Sequence, residues 1–254
     1  MRWPRSAWLL LLVVIFGQIA WVLVSGPNRV LLTWVTVVGF WLVTLLDAQR
    51  RFGKRWMLAY AVLIAALGWA VEAVGVTTGR PFGVYEYTDL LGPKLGPVPA
   101  LVPLAWSMMV YPCWLAARRV MPNTLGAVFA AAWLIASWDL FLDPQMVGEG
   151  YWKWQQPVRS LPGIPGIPLS NYAGWLLVSL VMMLVIVALR KLAHETRTKA
   201  GLGPTGVMLG WVYASNVLAG AVFFGRPLGA LIGAVAMGLV VIAYWRKTWI
   251  EITR

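Results

Sequence analysis

Histidine and cysteine are almost missing from this chain. Its 254 residues contain one of each, His194 and Cys113. One cysteine excludes an internal disulfide and any multi-cysteine metal site. One histidine, set in the basic stretch ALRKLAHETRTK, leaves no partner set for a Ser/His/Asp triad and no ligand set for zinc or haem. A solvated or dipole-complementing role accounts for His194. Charge is scarce as well. Charged residues make up 12% of the chain, and only nine are acidic. A soluble domain carries about a quarter.

What fills the space is apolar. Hydrophobic residues account for 60% of the sequence, which places the chain in a membrane. The net charge of +12 fits this setting, because Lys and Arg gather in the cytoplasmic loops of membrane proteins. No basic run alternates with aromatics on a polar segment, so the charge does not read as a nucleic-acid surface.

A transmembrane helix needs about 20 mostly apolar residues. Eight segments qualify, at 7–24, 30–46, 56–74, 100–117, 124–142, 172–190, 205–224 and 227–245. Proline and glycine mark their joints, in SGPN, MPN, GLGP and FGRP. The last two spans are nearly contiguous and predict a tight helical hairpin. With the N-terminus inside, the inner segments hold 15 basic residues and the outer ones six. The positive-inside rule therefore predicts eight spans with both termini cytoplasmic. A cleaved signal peptide at the first span is the alternative, with seven spans left. The expected fold is all-α: a multi-pass bundle in the cell membrane, forming one transmembrane domain over 1–254 with a motif-bearing core at 56–190.

Two outer segments are longer than ordinary connectors, 75–99 and 143–171. Both are rich in Gly, Pro and aromatics, and both are expected to fold back as re-entrant or interfacial caps. Tyr151, Trp152 and Trp154 also suit an aromatic belt at the headgroups. GRPFG (79–83) and GRPLG (225–229) follow the third and seventh spans, a faint echo of a four-span duplication.

The few acids are placed unevenly. Glu72 lies late in the third span, and Asp139 and Asp143 lie late in the fifth. At 1.5 Å per residue, Glu72 and Asp139 stand roughly 22–24 Å above the inner ends of their spans. Asp143 is one turn higher, on the same helix face as Asp139. Asn171, opening the sixth span, can join this layer, whereas Asn216 sits deeper in the seventh. Intramembrane acids are functional candidates by default. The bland alternatives are a protonated acid bonding a neighbouring helix, or Arg80 or Arg159 folding down to neutralise one. Asp143 before Pro144 also suits a helix exit. An acid pair at two depths can divide labour, the deeper one keeping its proton. Small residues such as Ala65, Ala66, Gly68, Ala130–Ala132, Gly229 and Gly233 let helices approach or leave a groove.

Three classes of function compete on these residues: an isoprenoid-modifying enzyme, a prenyltransferase holding magnesium on a diphosphate, and a proton-coupled transporter of an apolar compound. The second lacks a second acid-rich segment. The aromatic caps argue against the open pathway of the third.

Two stretches are more specific. Glu72 with GVTTGRPFGVYEY (75–87), leading into VPALVPLAW (98–106), and DLFLDPQMVGEGYWKW (139–154), leading into GIPLSNYAGW (166–175), resemble the membrane-embedded carotenoid biosynthesis family of the carotenoid 1,2-hydratase type. The resemblance runs from about the third span through the sixth. It implies a cofactor-independent hydratase that adds water to the terminal 1,2 double bond of an acyclic (ψ) carotenoid end, giving a tertiary alcohol. It implies no metal and no redox cofactor. The partners it implies are a lipid-soluble carotenoid, water and membrane lipid, with room for association with other carotenoid enzymes. Hydration of such an alkene needs a proton donor, a wall that tolerates a cation, and an oriented water. The candidates are Asp139 as donor, Asp143 and Glu72 as water-orienting acceptors, and Tyr85, Tyr87, Trp106, Trp152 and Trp154 as π faces for the cation. Asn171 and the tyrosine hydroxyls would position water, and Arg80 or Arg159 would tune the acid.

Overall fold

The computed structural model describes residue 3 and residues 5–193 and 203–253. His194 lies outside them. The described chain forms eight α-helices: α1 (Arg5–Trp21), α2 (Gly26–Phe52), α3 (Lys54–Thr78), α4 (Leu101–Val120), α5 (Thr124–Gly148), α6 (Leu169–Leu189), α7 (Pro204–Leu218) and α8 (Pro227–Ile252). Six of them, α2, α3, α5, α6, α7 and α8, are long and apolar enough to cross a membrane. α1 is apolar but only 17 residues long. α4 carries Arg118 and Arg119 in its last turn and Pro112 in its middle.

The two weaker spans differ in cause. α4 packs against α2, α3, α5, α6, α7 and α8, so it is surrounded by protein. A helix with little lipid-facing surface can afford polar groups. Proline at 112 removes an N–H that would have bonded the carbonyl of Met108. Thr44 of α2 donates its hydroxyl to that carbonyl instead, at 3.1 Å. Tyr60 of α3 donates to the carbonyl of Ser107 and accepts from the N–H of Tyr111 at 3.1 Å. These cross-helix bonds replace what the proline takes away, inside lipid where water cannot.

Helices outrun their apolar segments. α2 continues to Phe52 with Arg50 and Arg51 in its last turn, and turns into α3 through Gly53 at φ 87°. α5 continues through Pro144 to Gly148, past the expected span end at 142, so the alternative reading of Asp143 as a helix-exit residue does not hold. The turn still closes after the proline, with the Glu149 N–H bonding the carbonyl of Gln145 at 3.0 Å. Arg226, capping the start of α8, donates to the Pro144 carbonyl. The last two spans form the expected hairpin: α7 widens into a π-helical turn, Ala219–Phe223, and reverses at Gly225 into α8.

The two long segments meet as a sheet, which was not foreseen. β1 (Tyr85–Tyr87) pairs antiparallel with β4 (Trp152–Trp154), Tyr85 opposite Trp154 and Tyr87 opposite Trp152. Side chains alternate across a strand. Glu86 and Lys153 therefore share the outer face, paired at 3.0 Å, and the four aromatics share the inner one. A smaller hairpin, β2 (Lys94–Leu95) with β3 (Val98–Pro99), leads into α4.

Candidate active site

The three membrane acids lie under this sheet. Glu72 is on α3, one turn before Gly75. A Cβ at Gly75 would stand 2.7 Å from the Tyr85 hydroxyl. Glycine there lets β1 descend until Tyr85 and Tyr87 both donate to Glu72 Oε2, at 2.5 and 2.7 Å. Gly68, a turn earlier, similarly leaves room for Trp106, which a Cβ would meet at 3.1 Å. The Trp106 indole donates to Glu72 Oε1 at 2.9 Å. Three neutral donors thus converge on one buried carboxylate. Burial, and then the neighbouring Glu72 charge, push the Tyr85 and Tyr87 hydroxyls above the ordinary tyrosine range, so both remain donors.

Asp139 and Asp143 are joined by Asn171 from the first turn of α6. Its amide nitrogen donates to Asp139 Oδ2 at 2.7 Å and to Asp143 Oδ2 at 2.5 Å. The Trp152 indole donates to Asp143 Oδ1 at 3.1 Å. Asp139 Oδ1, fully buried, has no hydrogen-bond partner among the described residues.

A cavity of about 410 Å³ opens between these groups. Glu72, Asp143 and Asn171 line it, with Tyr85, Tyr87, Trp106, Trp152 and Trp154. Every substrate-contact residue expected from the sequence is therefore on its wall. Asp139 is not: it stands behind Asp143. Trp175 and Trp138 also line the cavity, though neither was among the sequence candidates. Trp175 stacks on Trp106 with ring centroids 3.9 Å apart, and Trp138 meets Trp175 edge-on at 6.0 Å. Spacing carried the signal for Trp175, which follows Asn171 by one helical turn.

The acid-tuning role expected of Arg80 or Arg159 is corrected. Both side chains are exposed, and neither lines the cavity. Among the described residues, Asp47, Glu86, Asp89, Glu149 and Glu251 each pair with a Lys or Arg. The described acids without such a partner are Glu72, Asp139 and Asp143. Burying a second charge beside them would cost desolvation energy, and O–H and N–H donors meet the need without it.

The whole describes a polytopic helical membrane protein with an apolar, acid-bearing chamber at one end. Residues 28–244 match the family described as carotenoid biosynthesis protein, and the chain belongs to that family. It is also 33% identical, over 132 residues, to a bisanhydrobacterioruberin hydratase of Haloarcula japonica. That alignment covers 49% of this chain and 42% of the relative, so the chain spans less than half the length of the curated protein it matches. No solved structure matches.

Proposed function

We propose that this protein is a carotenoid hydratase of the cell membrane, adding water to the terminal 1,2 double bond of an acyclic carotenoid without a cofactor. One observation carries the reading. Glu72 and Asp143 face an apolar, aromatic-walled cavity and have no cationic partner, in a chain of the carotenoid biosynthesis family. The name of the Haloarcula japonica relative points to the same reaction class.

The Asp139–Asp143 pair acts as one acid holding one proton, because two carboxylates this close in a dry site cannot both ionise. Asp139, fully buried and off the cavity wall, stores the proton, and Asp143, on the wall, passes it on. The proton adds to the less substituted alkene carbon, and the π electrons form the new C–H bond. The adjacent carbon becomes a tertiary cation. Trp106, Trp175 and Trp152 present π faces to it, an interaction worth about 2 kcal/mol when desolvated, and the Glu72 carboxylate adds a full negative charge. Water forms the C–O bond. Its surplus proton returns to the carboxylate pair, so the acid is regenerated and the balance closes with one water consumed.

The test is pigment analysis after expression in a host that makes lycopene. A product heavier by one water is expected. Unchanged pigment across several ψ-ended carotenoids, with the protein present in the membrane, would overturn the assignment.

A further inference from the structure

The cavity has a mouth, and its position is fixed by which wall residues also face outward. Ile19, Ala214, Leu218 and Phe223 line the cavity yet are exposed on the surface of the bundle. Ile19 is 42% exposed, Leu218 57% and Phe223 54%. Ile19 belongs to α1, and the other three belong to α7 or its π-helical turn. Every other residue of the wall is buried or half-buried. The opening is therefore a slot between α1 and α7, on the lipid-facing side of an apolar bundle.

The slot is apolar along its rim. Among the described residues one side-chain hydrogen bond joins the two helices: the Trp211 indole of α7 donates to Gln18 Oε1 of α1 at 2.6 Å, which satisfies the indole N–H within the seam. The π-helical turn ends α7 beside it, where the Phe224 N–H reaches back to the carbonyl of Ala219 at 2.9 Å. Such turns recur at functional positions because they displace side chains from the regular helical rows. A space of about 410 Å³ is the size that encloses a drug-sized molecule. It holds an end group and a short stretch of chain, and a long isoprenoid must leave most of its length outside.

We infer that the α1–α7 slot is the binding site for the polyene tail of the substrate, which enters from the lipid end-first and stays threaded between Ile19 and Leu218 while its terminus reacts. The identity of the tail rests on the hydratase reading; the position of the slot does not. The occupant is a long, flexible-ended hydrocarbon, because the rim offers apolar contacts and no charge.

A size series tests this. Leu218→Ala and Leu218→Trp, with Ile19→Ala and Ile19→Trp, are expressed in lycopene-producing cells beside Leu63→Trp and Leu239→Trp, which lie on exposed faces of α3 and α8 away from the cavity. Enzyme in the membrane fraction is quantified for each, and its folded state is checked by size-exclusion chromatography in detergent. The two mouth tryptophan variants should lose conversion by about tenfold or more. The alanine variants keep the slot open but remove apolar contacts with the tail, so they should lose less conversion than the tryptophan variants, and the two distant tryptophan variants should stay within about twofold. Wild-type conversion in folded Leu218→Trp and Ile19→Trp would overturn the slot while leaving the hydratase reading intact. Failure of the wild-type protein to hydrate any ψ-ended carotenoid would overturn the reading instead. In that case, quenching of the intrinsic tryptophan emission by lycopene, equal in wild type and the mouth tryptophan variants, would overturn the slot independently.

Discussion

The bundle buries carboxylates at both of its ends, and it does so in opposite ways. At one end Asp47 is 1% exposed and takes the Arg51 guanidinium one helical turn away, Nε to Oδ1 at 3.0 Å. The Trp3 ring lies 4.5 Å from Arg50 and 5.5 Å from Arg51, so that end is tied by cations and aromatics together. At the other end Glu72, Asp139 and Asp143 are as deeply buried, and their donors are indoles, phenols and one amide. A charge-paired carboxylate is anchored and inert. A carboxylate held by neutral donors keeps its own charge or its own proton available, which is the state that acid–base chemistry needs. The contrast predicts that substitutions at the two ends will separate activity from stability.

The largest effect should come from Asp143→Asn. Loss of a general acid costs about 10²–10⁴-fold in rate, so pigment conversion should fall into that range while membrane insertion persists. Asp139→Asn should be nearly as damaging, since the pair works as a unit and its proton is stored there. If Asp139→Asn keeps near-normal conversion, Asp143 acts alone and the shared proton is wrong. Glu72→Gln comes next. Its amide must turn an N–H towards Trp106 or towards the two tyrosines, all of them donors, and a broken buried network costs about 1–3 kcal/mol. Both conversion and thermal stability in detergent should drop.

Asp47→Asn sharpens the comparison from the other side. Breaking a buried ion pair costs about 3–5 kcal/mol, and Arg51 is 21% exposed, so the loss should sit at the low end of that range or below it. The melting temperature should fall by several degrees, with conversion per folded molecule within about twofold of wild type. A specific loss of activity at Asp47 would mean that the two ends are not divided as argued. Trp152→Phe is smaller still. It removes the indole bond to Asp143 Oδ1 and the five-membered half of the indole but keeps an aromatic face, and a hydrogen bond to a charged group is worth about 1.5–3 kcal/mol. Initial rates should drop about tenfold or slightly more.

Much of this contrast could be read in the sequence, and the reasons are specific. Glu72, Asp139 and Asp143 were visible because acids are so few that three in apolar runs at one depth stand out. The helices were visible because lipid demands apolar length, and α4 was found despite its proline and arginines. The pairing of β1 with β4 was also legible and went unread. YEY and WKW are aromatic triplets with opposite charges at their centres, a pattern that alternation across two strands produces. What could not be read was which acid meets the cavity. Asp139 and Asp143 share a helix face, and only the packing of α5 against its neighbours decides that Asp143 stands in front. The cationic tuning failed for a related reason: a sequence does not say whether an arginine near a buried acid turns inward.

Arg80 makes that last point testable, and it carries the smallest expected effect. GRPFG and GRPLG both follow helices with a left-handed glycine, Gly79 at φ 71° and Gly225 at φ 62°. Their arginines then part. Arg226 reaches the carbonyl of Pro144 in the turn that carries Asp143, whereas Arg80 is exposed and does not line the cavity. Arg80→Ala should leave both conversion and melting temperature close to wild type, within about 0.5 kcal/mol in stability. A marked loss of conversion with stability unchanged would show that a cation does act on the acids across the sheet. Neutral donors would then not suffice to hold them, and the division between the two ends of the bundle would have to be redrawn.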